Sequence, residues 1–125
     1  MSGERVLLDS VILIDHFNGL EAATSFIRSV ADKAAISPIS RAEVLTGFDT
    51  ADEDAARSLL DHFVQIQIDA PVADLAARLR REHRWKLPDA IQAAVAIHHG
   101  LLLITRDAKD FAPGRHSFVR IPYRV

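Results

Sequence analysis

Hydrophobic residues along this chain fall into short unbroken runs, separated by longer segments with helical spacing. Val6-Leu7-Leu8 runs straight into Asp9, a pattern that predicts a buried strand ending at a surface. From Val11 to Phe17 only Asp15 and His16 interrupt the apolar positions, so a short helix buried on most sides is expected, closed by Asn18-Gly19. Glu21 to Val30 carries Ala22, Ala23, Phe26, Ile27 and Val30 at helical spacing, and Ala34-Ala35-Ile36 reads as a second strand stopped by Ser37-Pro38. Ser40 to Glu43 begins a third helix, with Ala42, Leu45 and Phe48 on one stripe and Gly47 at its end. Thr50 to Glu53 has the form of a capping box and opens a fourth helix, with Ala55, Ala56, Leu59, Leu60 and Phe63 inward. Val64 to Ile68 alternates with period two, the mark of a strand with one face less buried. Pro71 starts a fifth helix whose stripe is Val72, Leu75, Ala76 and Leu79. Pro88 starts a sixth, Asp89 to His99, with so little polar surface that it belongs at the centre; Gly100 caps it. Leu101 to Ile104 is a strand ending in Thr105-Arg106-Asp107. Ala108 to Phe111 reads as a short helical turn, and Phe118 to Ile121 as the last strand.

Strands separated by helices throughout argue for an α/β fold, a parallel sheet with helices on both faces. No repeat, low-complexity segment or linker divides the chain, so a single domain spanning residues 1–125 is expected. The absence of cysteine removes disulfides, zinc-thiolate sites and thiol catalysis, and fits a cytoplasmic protein. Met1 to Arg5 does not have the form of a signal peptide, and no stretch is long enough to span a bilayer. The formal net charge of -2 lends no support to nucleic-acid binding. A polyanionic substrate would need bound cations or local basic patches to overcome the repulsion.

In such sheets ligands collect just beyond the carboxyl ends of the strands. Asp9 ends the first strand and Asp107 follows the fourth, with Asp110 three residues on. Glu43 and Asp89 lie in the first turns of helices, whose N-termini face the same edge. Glu43, Asp89 and Asp107 each have a plain structural alternative. Glu43 completes a capping box with Ser40, Asp89 suits a helix dipole, and Asp107 is a common turn residue. Asp9 has no such excuse, because an apolar strand does not need an acid at its end. Four unpaired carboxylates close together repel and raise one another's pKa values, and divalent cations relieve this. All-oxygen ligands suit Mg²⁺ or Mn²⁺. Two such ions about 4 Å apart activate a water and stabilise a departing oxygen in phosphodiester cleavage.

Four segments in order, Leu7 to Asp15, Ile39 to Gly47, Lys86 to Ala90 and Thr105 to Phe111, together with the ending Val119 to Arg124, resemble the PIN-domain ribonucleases. The likeness is greatest to the VapC-type toxins of toxin–antitoxin pairs. It implies a three-layer α/β/α sandwich with a five-stranded parallel sheet, and a Mg²⁺- or Mn²⁺-dependent endoribonuclease. The family's catalytic and metal-binding acids map onto Asp9, Glu43, Asp89 and Asp107. Its small hydroxyl residue maps onto Thr105, with Ser10 and Asp110 as further supporting positions, and Asp110, close behind Asp107, is the alternative fourth acid. The resemblance also implies an RNA substrate, a homodimer and a cognate antitoxin whose tail lies over or near the active site. Two positions depart from the family pattern. Val11 stands where a polar residue is common, and Trp85 where glycine is.

Arg78, Arg80, Arg81, Arg84 and Lys86 cluster before Asp89, and Arg41 and Arg106 stand beside other acids. They read either as a track for RNA phosphates, with Arg41, Arg84, Lys86 and Arg106 the foremost candidates, or as ordinary solvated surface. Trp85 suits packing better than base stacking, and Asp15 reads as an ordinary helix residue rather than a support for the acids. Two other functions are weighed against the nuclease. A receiver-like signalling domain shares the length and layout, but Asp69 is followed at once by a helix start and no acidic pair follows the first strand. A catalytically inactive PIN-like module binding RNA or protein would not need all four acids.

Overall fold

The computed structural model describes residues 4–112 and 114–125; Met1, Ser2 and Gly3, part of the segment weighed as a signal peptide, lie outside them. Five strands form one sheet: β1 (Val6–Leu8), β2 (Ala34–Ile36), β3 (Val64–Gln65), β4 (Leu102–Ile104) and β5 (Val119–Arg120). Their order is β3-β2-β1-β4-β5 and every pairing is parallel. Six α-helices connect them: α1 (Ser10–Phe17), α2 (Glu21–Val30), α3 (Pro38–Thr46), α4 (Glu53–Leu60), α5 (Ala70–His83) and α6 (Leu87–His99).

The alternation of side chains along each strand divides the interior in two. Leu7, Ala35 and Leu103 face one way, into a core built with Val72, Ala76, Ala93 and Trp85 from α5, α6 and the turn between them. Val6, Leu8, Ile36 and Ile104 face the other way, against Ile12, Ile27, Val44 and Leu60 from α1 to α4. The sheet is thus the middle of three layers. From β1 the chain builds outward through β2 and β3, then crosses back so that β4 and β5 fill the other side. The order therefore reverses between β1 and β4. The end of that pair is a topological switch point, where open sheets leave a crevice.

Several local expectations fail for identifiable reasons. The third strand is two residues long rather than five. It is an edge with one partner, and Val64 is 46% exposed. Ile66 keeps one ladder bond, its amide donating to the Ile36 carbonyl at 2.9 Å, and the side chains of Ile66 and Ile68 pack against the α5–α6 core. Neither capping box forms. The third helix starts earlier, at Pro38, capped by Ser37, whose Oγ accepts from the amide of Ile39 at 3.1 Å. Ser40 Oγ instead donates to the Leu8 carbonyl at 3.0 Å. Before α4, Asp49 rather than Thr50 accepts from the chain, taking the Asp52 amide at 3.0 Å, while Glu53 pairs with Arg57. Ala55 faces solvent rather than the core. Ala108 to Asp110 are turns rather than helix, and the last strand keeps only Val119 and Arg120.

Candidate active site

Asp9 occupies the switch point. Its amide donates to the Ile104 carbonyl at 2.9 Å, continuing the β1–β4 ladder by one bond. The residue then caps α1, so its carboxylate is fixed by two elements at once. Oδ1 accepts from the Ser10 amide at 2.9 Å and from Gln92 Nε2 at 3.3 Å. Oδ2 accepts from Thr105 Oγ1 at 2.7 Å. The side chain is buried, at 7% exposure. Burial pushes its carboxyl above the usual range, the bonds from Thr105, Gln92 and Ser10 pull it back, and the Glu43 charge adds to the rise. A carboxylate has about four acceptor positions, so Asp9 keeps capacity at Oδ2.

Behind Asp9 lies a polar network inside the apolar core. Gln92, on the buried side of α6 and 1% exposed, donates to Asp9 and to Ser40 Oγ at 2.7 Å, and accepts from Ser37 Oγ at 2.6 Å. Ser40 in turn holds the end of β1 through the Leu8 carbonyl. The amide group of one side chain therefore ties α6, α3 and β1 together. No buried side-chain nitrogen or oxygen among the described residues lacks a partner.

The other acids gather beside Asp9. Asp89 stands in the first turn of α6. Asp107 follows the fourth strand by way of Thr105, whose Oγ1 accepts the Asp107 amide at 3.1 Å. Asp107 Oδ1 accepts the amides of Lys109 and Asp110 at 3.2 and 3.1 Å, which tightens the turn and swings Asp110 back. Asp89, Asp107 and Asp110 each offer a carboxylate oxygen within 4.8 Å of the other two. The Asp89 carboxyl is pushed up to about 6, first by burial and then by the charges of Asp9, Asp107, Asp110 and Glu43. Glu43, exposed on α3, accepts from Ser10 Oγ at 2.7 Å. Asp9, Glu43, Asp89 and Asp107 line a single cleft of about 480 Å³, with Val11 and Lys109 on its wall. A hollow of about 540 Å³ between α2 and α4 is lined by Ile27, Leu59 and Phe63 and holds a single acid, Asp32. Size does not pick out the chemistry here; convergent charge does.

The basic candidates scatter. Arg41 is held by Asp61 at 2.8 Å. Arg106 lines the cleft, but its guanidinium is engaged by Asp15, with Nε to Oδ2 at 2.7 Å and Nη2 to Oδ1 at 2.8 Å. Tyr123 donates its hydroxyl to the same carboxylate at 2.9 Å. Asp15 is therefore not an ordinary helix residue. It is buried, and Arg106 holds its carboxyl below the usual range. Arg84 and Lys86 are exposed at the turn between α5 and α6. Trp85 is packed rather than free to stack a base: 4% exposed, 4.8 Å from the Phe111 ring, its Nε1 donating to the Asp110 carbonyl at 3.0 Å. It thereby anchors the turn that carries Asp110. Gln92, Ser37, Ser40 and Lys109 were not among the site residues expected from the sequence. Gln92 alone left a signal there, as a lone polar residue within Ala90 to Ala96.

A divalent cation fits this donor set. The close carboxylates are all oxygen and repel one another, and at Asp89 that repulsion adds to burial in raising the carboxyl.

Comparison with known proteins accords with this geometry. Residues 6–112 match the model of the PIN domain. A structure described as a toxin-antitoxin complex from Klebsiella pneumoniae has a chain 39% identical, with a TM-score of 0.89, covering 96% of this chain and 99% of that one. FitAcB from Neisseria gonorrhoeae is 23% identical, with a TM-score of 0.77 over 94% and 97% of the two chains. DNA-bound VapBC from Salmonella typhimurium is 19% identical, with a TM-score of 0.77 over 98% of each. No curated protein matches the chain. The family match begins at the first strand and runs past the turn that carries Asp110, so every acid of the cleft falls inside it, and the chain belongs to the PIN-domain family.

Proposed function

We propose that this protein is a metal-dependent endoribonuclease acting as the toxin of a toxin–antitoxin pair. The observation that carries the reading is the meeting of Asp9, Glu43, Asp89 and Asp107 in one cleft at the switch point of the sheet. Mg²⁺ or Mn²⁺ would be held there by Asp89 and Asp107 with Asp9 and Glu43, and Asp110 stands close enough to Asp89 and Asp107 to share the task. When bound, such ions lower the pKa of water and offset charge on a phosphodiester.

The chain's own residues supply position. Thr105 and Gln92 keep the Asp9 carboxylate in one orientation, and Ser10 does the same for Glu43. These bonds lower the rearrangement needed at the moment of reaction. Arg106, spent on Asp15, keeps the 105–107 turn in place. Lys109 is the cation of the cleft wall with no carboxylate partner among the described residues, and it suits a substrate phosphate.

The toxin role rests on the 39% identical chain from a toxin-antitoxin complex. That likeness supports a cognate antitoxin as partner, and a homodimer as the working form is part of the proposal. No helix among the described residues is long and apolar enough to cross a membrane, and a cytoplasmic location is part of the proposal. The test is cleavage of single-stranded RNA by the purified chain with Mn²⁺, with chelator, and with Asp9→Asn. Cutting that requires both the metal and Asp9 is expected. Cutting that survives chelator, or none under any metal, overturns the reading.

A further inference from the structure

The cleft cannot hold a polyanion unaided. It is lined by carboxylates, Arg106 is engaged by Asp15, and Lys109 alone is left to meet a phosphate. Strand flanking the cut must therefore be held outside it, and the corner between α5 and α6 has the means. Residues 78–86 contain Arg78, Arg80, Arg81, Arg84 and Lys86 against the one acid Glu82, five of the chain's 15 lysines and arginines in a protein of net charge -2. No ion pair among the described residues engages any of the five. Arg80, Arg81, Arg84 and Trp85 line a hollow of about 310 Å³.

The backbone offers a second sign. Arg84 has φ of 60°, and among the described residues it alone takes a positive φ without being glycine. It ends α5 in the left-handed conformation, where glycine is the default and a side chain carries strain. An outlier of this kind is a reason to ask what the side chain does. Favourable cations at a helix C-terminus explain part of the cluster. They do not explain Lys86, which lies beyond that helix, before the first turn of α6.

The corner also adjoins the site. Trp85 stacks on His83 at 4.2 Å and bonds the Asp110 carbonyl, and Lys86 immediately precedes the turn that carries Asp89. Resting on the ribonuclease reading above, we propose that the α5–α6 corner, through Arg81, Arg84 and Lys86, binds the phosphate backbone of single-stranded RNA leading away from the acidic cleft. The recognition is of phosphates and independent of base sequence. Arg80 plays a structural part, since its Nη1 donates to the Trp85 carbonyl at 2.9 Å.

The experiment is fluorescence anisotropy of a short labelled single-stranded RNA with the full chain in chelator, over a series of salt concentrations. Arg81→Gln/Arg84→Gln should weaken binding about tenfold. It should also reduce the slope of log K against log salt by ~1.4, because each phosphate that a cation neutralises adds about 0.7 to that slope. Arg28→Gln, an exposed arginine on α2, should change neither. Arg84→Gly guards against misfolding. It relieves the left-handed backbone and should raise the melting temperature while weakening RNA binding. Wild-type affinity and slope in the double variant overturn the proposal, as does an equal loss from Arg28→Gln. Binding of an acidic peptide lost while RNA binding stays intact also overturns it, and gives the corner to a protein. RNA held at this corner by a chain that cuts no RNA would sink the nuclease reading and leave this one standing.

Discussion

Two walls of one cleft carry acids in opposite conditions. On the β1 wall Asp9 is buried and bonded on both oxygens, by Ser10, Gln92 and Thr105. On the α6 wall Asp89, Asp107 and Asp110 are half-buried, and no side chain among the described residues donates to any of the three carboxylates. The first wall is finished by the protein and the second awaits a counter-charge. A carboxylate locked by neutral donors keeps its aim. Carboxylates left facing one another store repulsion that only a cation or a proton removes.

The largest effect expected from breaking this contrast is on catalysis. Asp9→Asn keeps the shape and removes the charge. Cleavage of RNA should fall by more than the roughly 10–100-fold typical of losing a supporting partner. Melting without metal should be unchanged or higher, because one repelling carboxylate has gone. A variant that unfolds would show Asp9 to be structural.

Next in size is Gln92→Leu. It strips partners from Asp9, Ser37 and Ser40 inside the core. Unsatisfied buried groups cost about 1–3 kcal/mol each, so denaturant unfolding should register a loss on the order of 3 kcal/mol. A loss below about 0.5 kcal/mol, the range of ordinary surface substitutions, would mean that the network does not hold the first wall.

Asp107 and Asp110 separate by a smaller effect. Asp107 Oδ1 caps its own turn, so Asp107→Ala should cost about 1 kcal/mol where Asp110→Ala costs little. For cleavage, Asp107→Asn is expected to be the more damaging, since Asp107 follows the fourth strand directly. If only Asp110→Asn abolishes cutting, Asp110 is the fourth acid.

The pH dependence is the smallest effect. Asp89, pushed up to about 6, and Asp9, also raised, bind protons more readily folded than unfolded. Stability without metal should therefore decline as pH rises from about 4 to 6. Asp15 is lowered and has the opposite sign, so its contribution is lost only as pH falls below the ordinary carboxylate range. Saturating Mn²⁺ should flatten the decline, and a thermal melt series in chelator and in Mn²⁺ reads both.

How much of this was legible follows the same contrast. The acids of both walls could be read, because each follows a strand or opens a helix that hydrophobic spacing marks. Glu21–Val30 came out with its observed bounds for that reason. The bonds that finish the first wall could not. Gln92 meets Ser37 and Asp9 across 55 and 83 residues, and Asp15 meets Arg106 and Tyr123 across 91 and 108. Nothing local announces such pairs. The capping boxes failed for a related cause: Ser40 had a better acceptor in the Leu8 carbonyl, which only the folded sheet brings near.

The claim that the second wall awaits a cation is tested most directly by melting the wild-type chain and Asp89→Asn in chelator and in millimolar Mn²⁺. An ion that binds only the folded arrangement raises the midpoint. The wild type should gain several degrees with Mn²⁺. Asp89→Asn should start at the same midpoint or higher in chelator and gain little. A wild-type midpoint unmoved by Mn²⁺, or an equal gain in Asp89→Asn, would contradict the account.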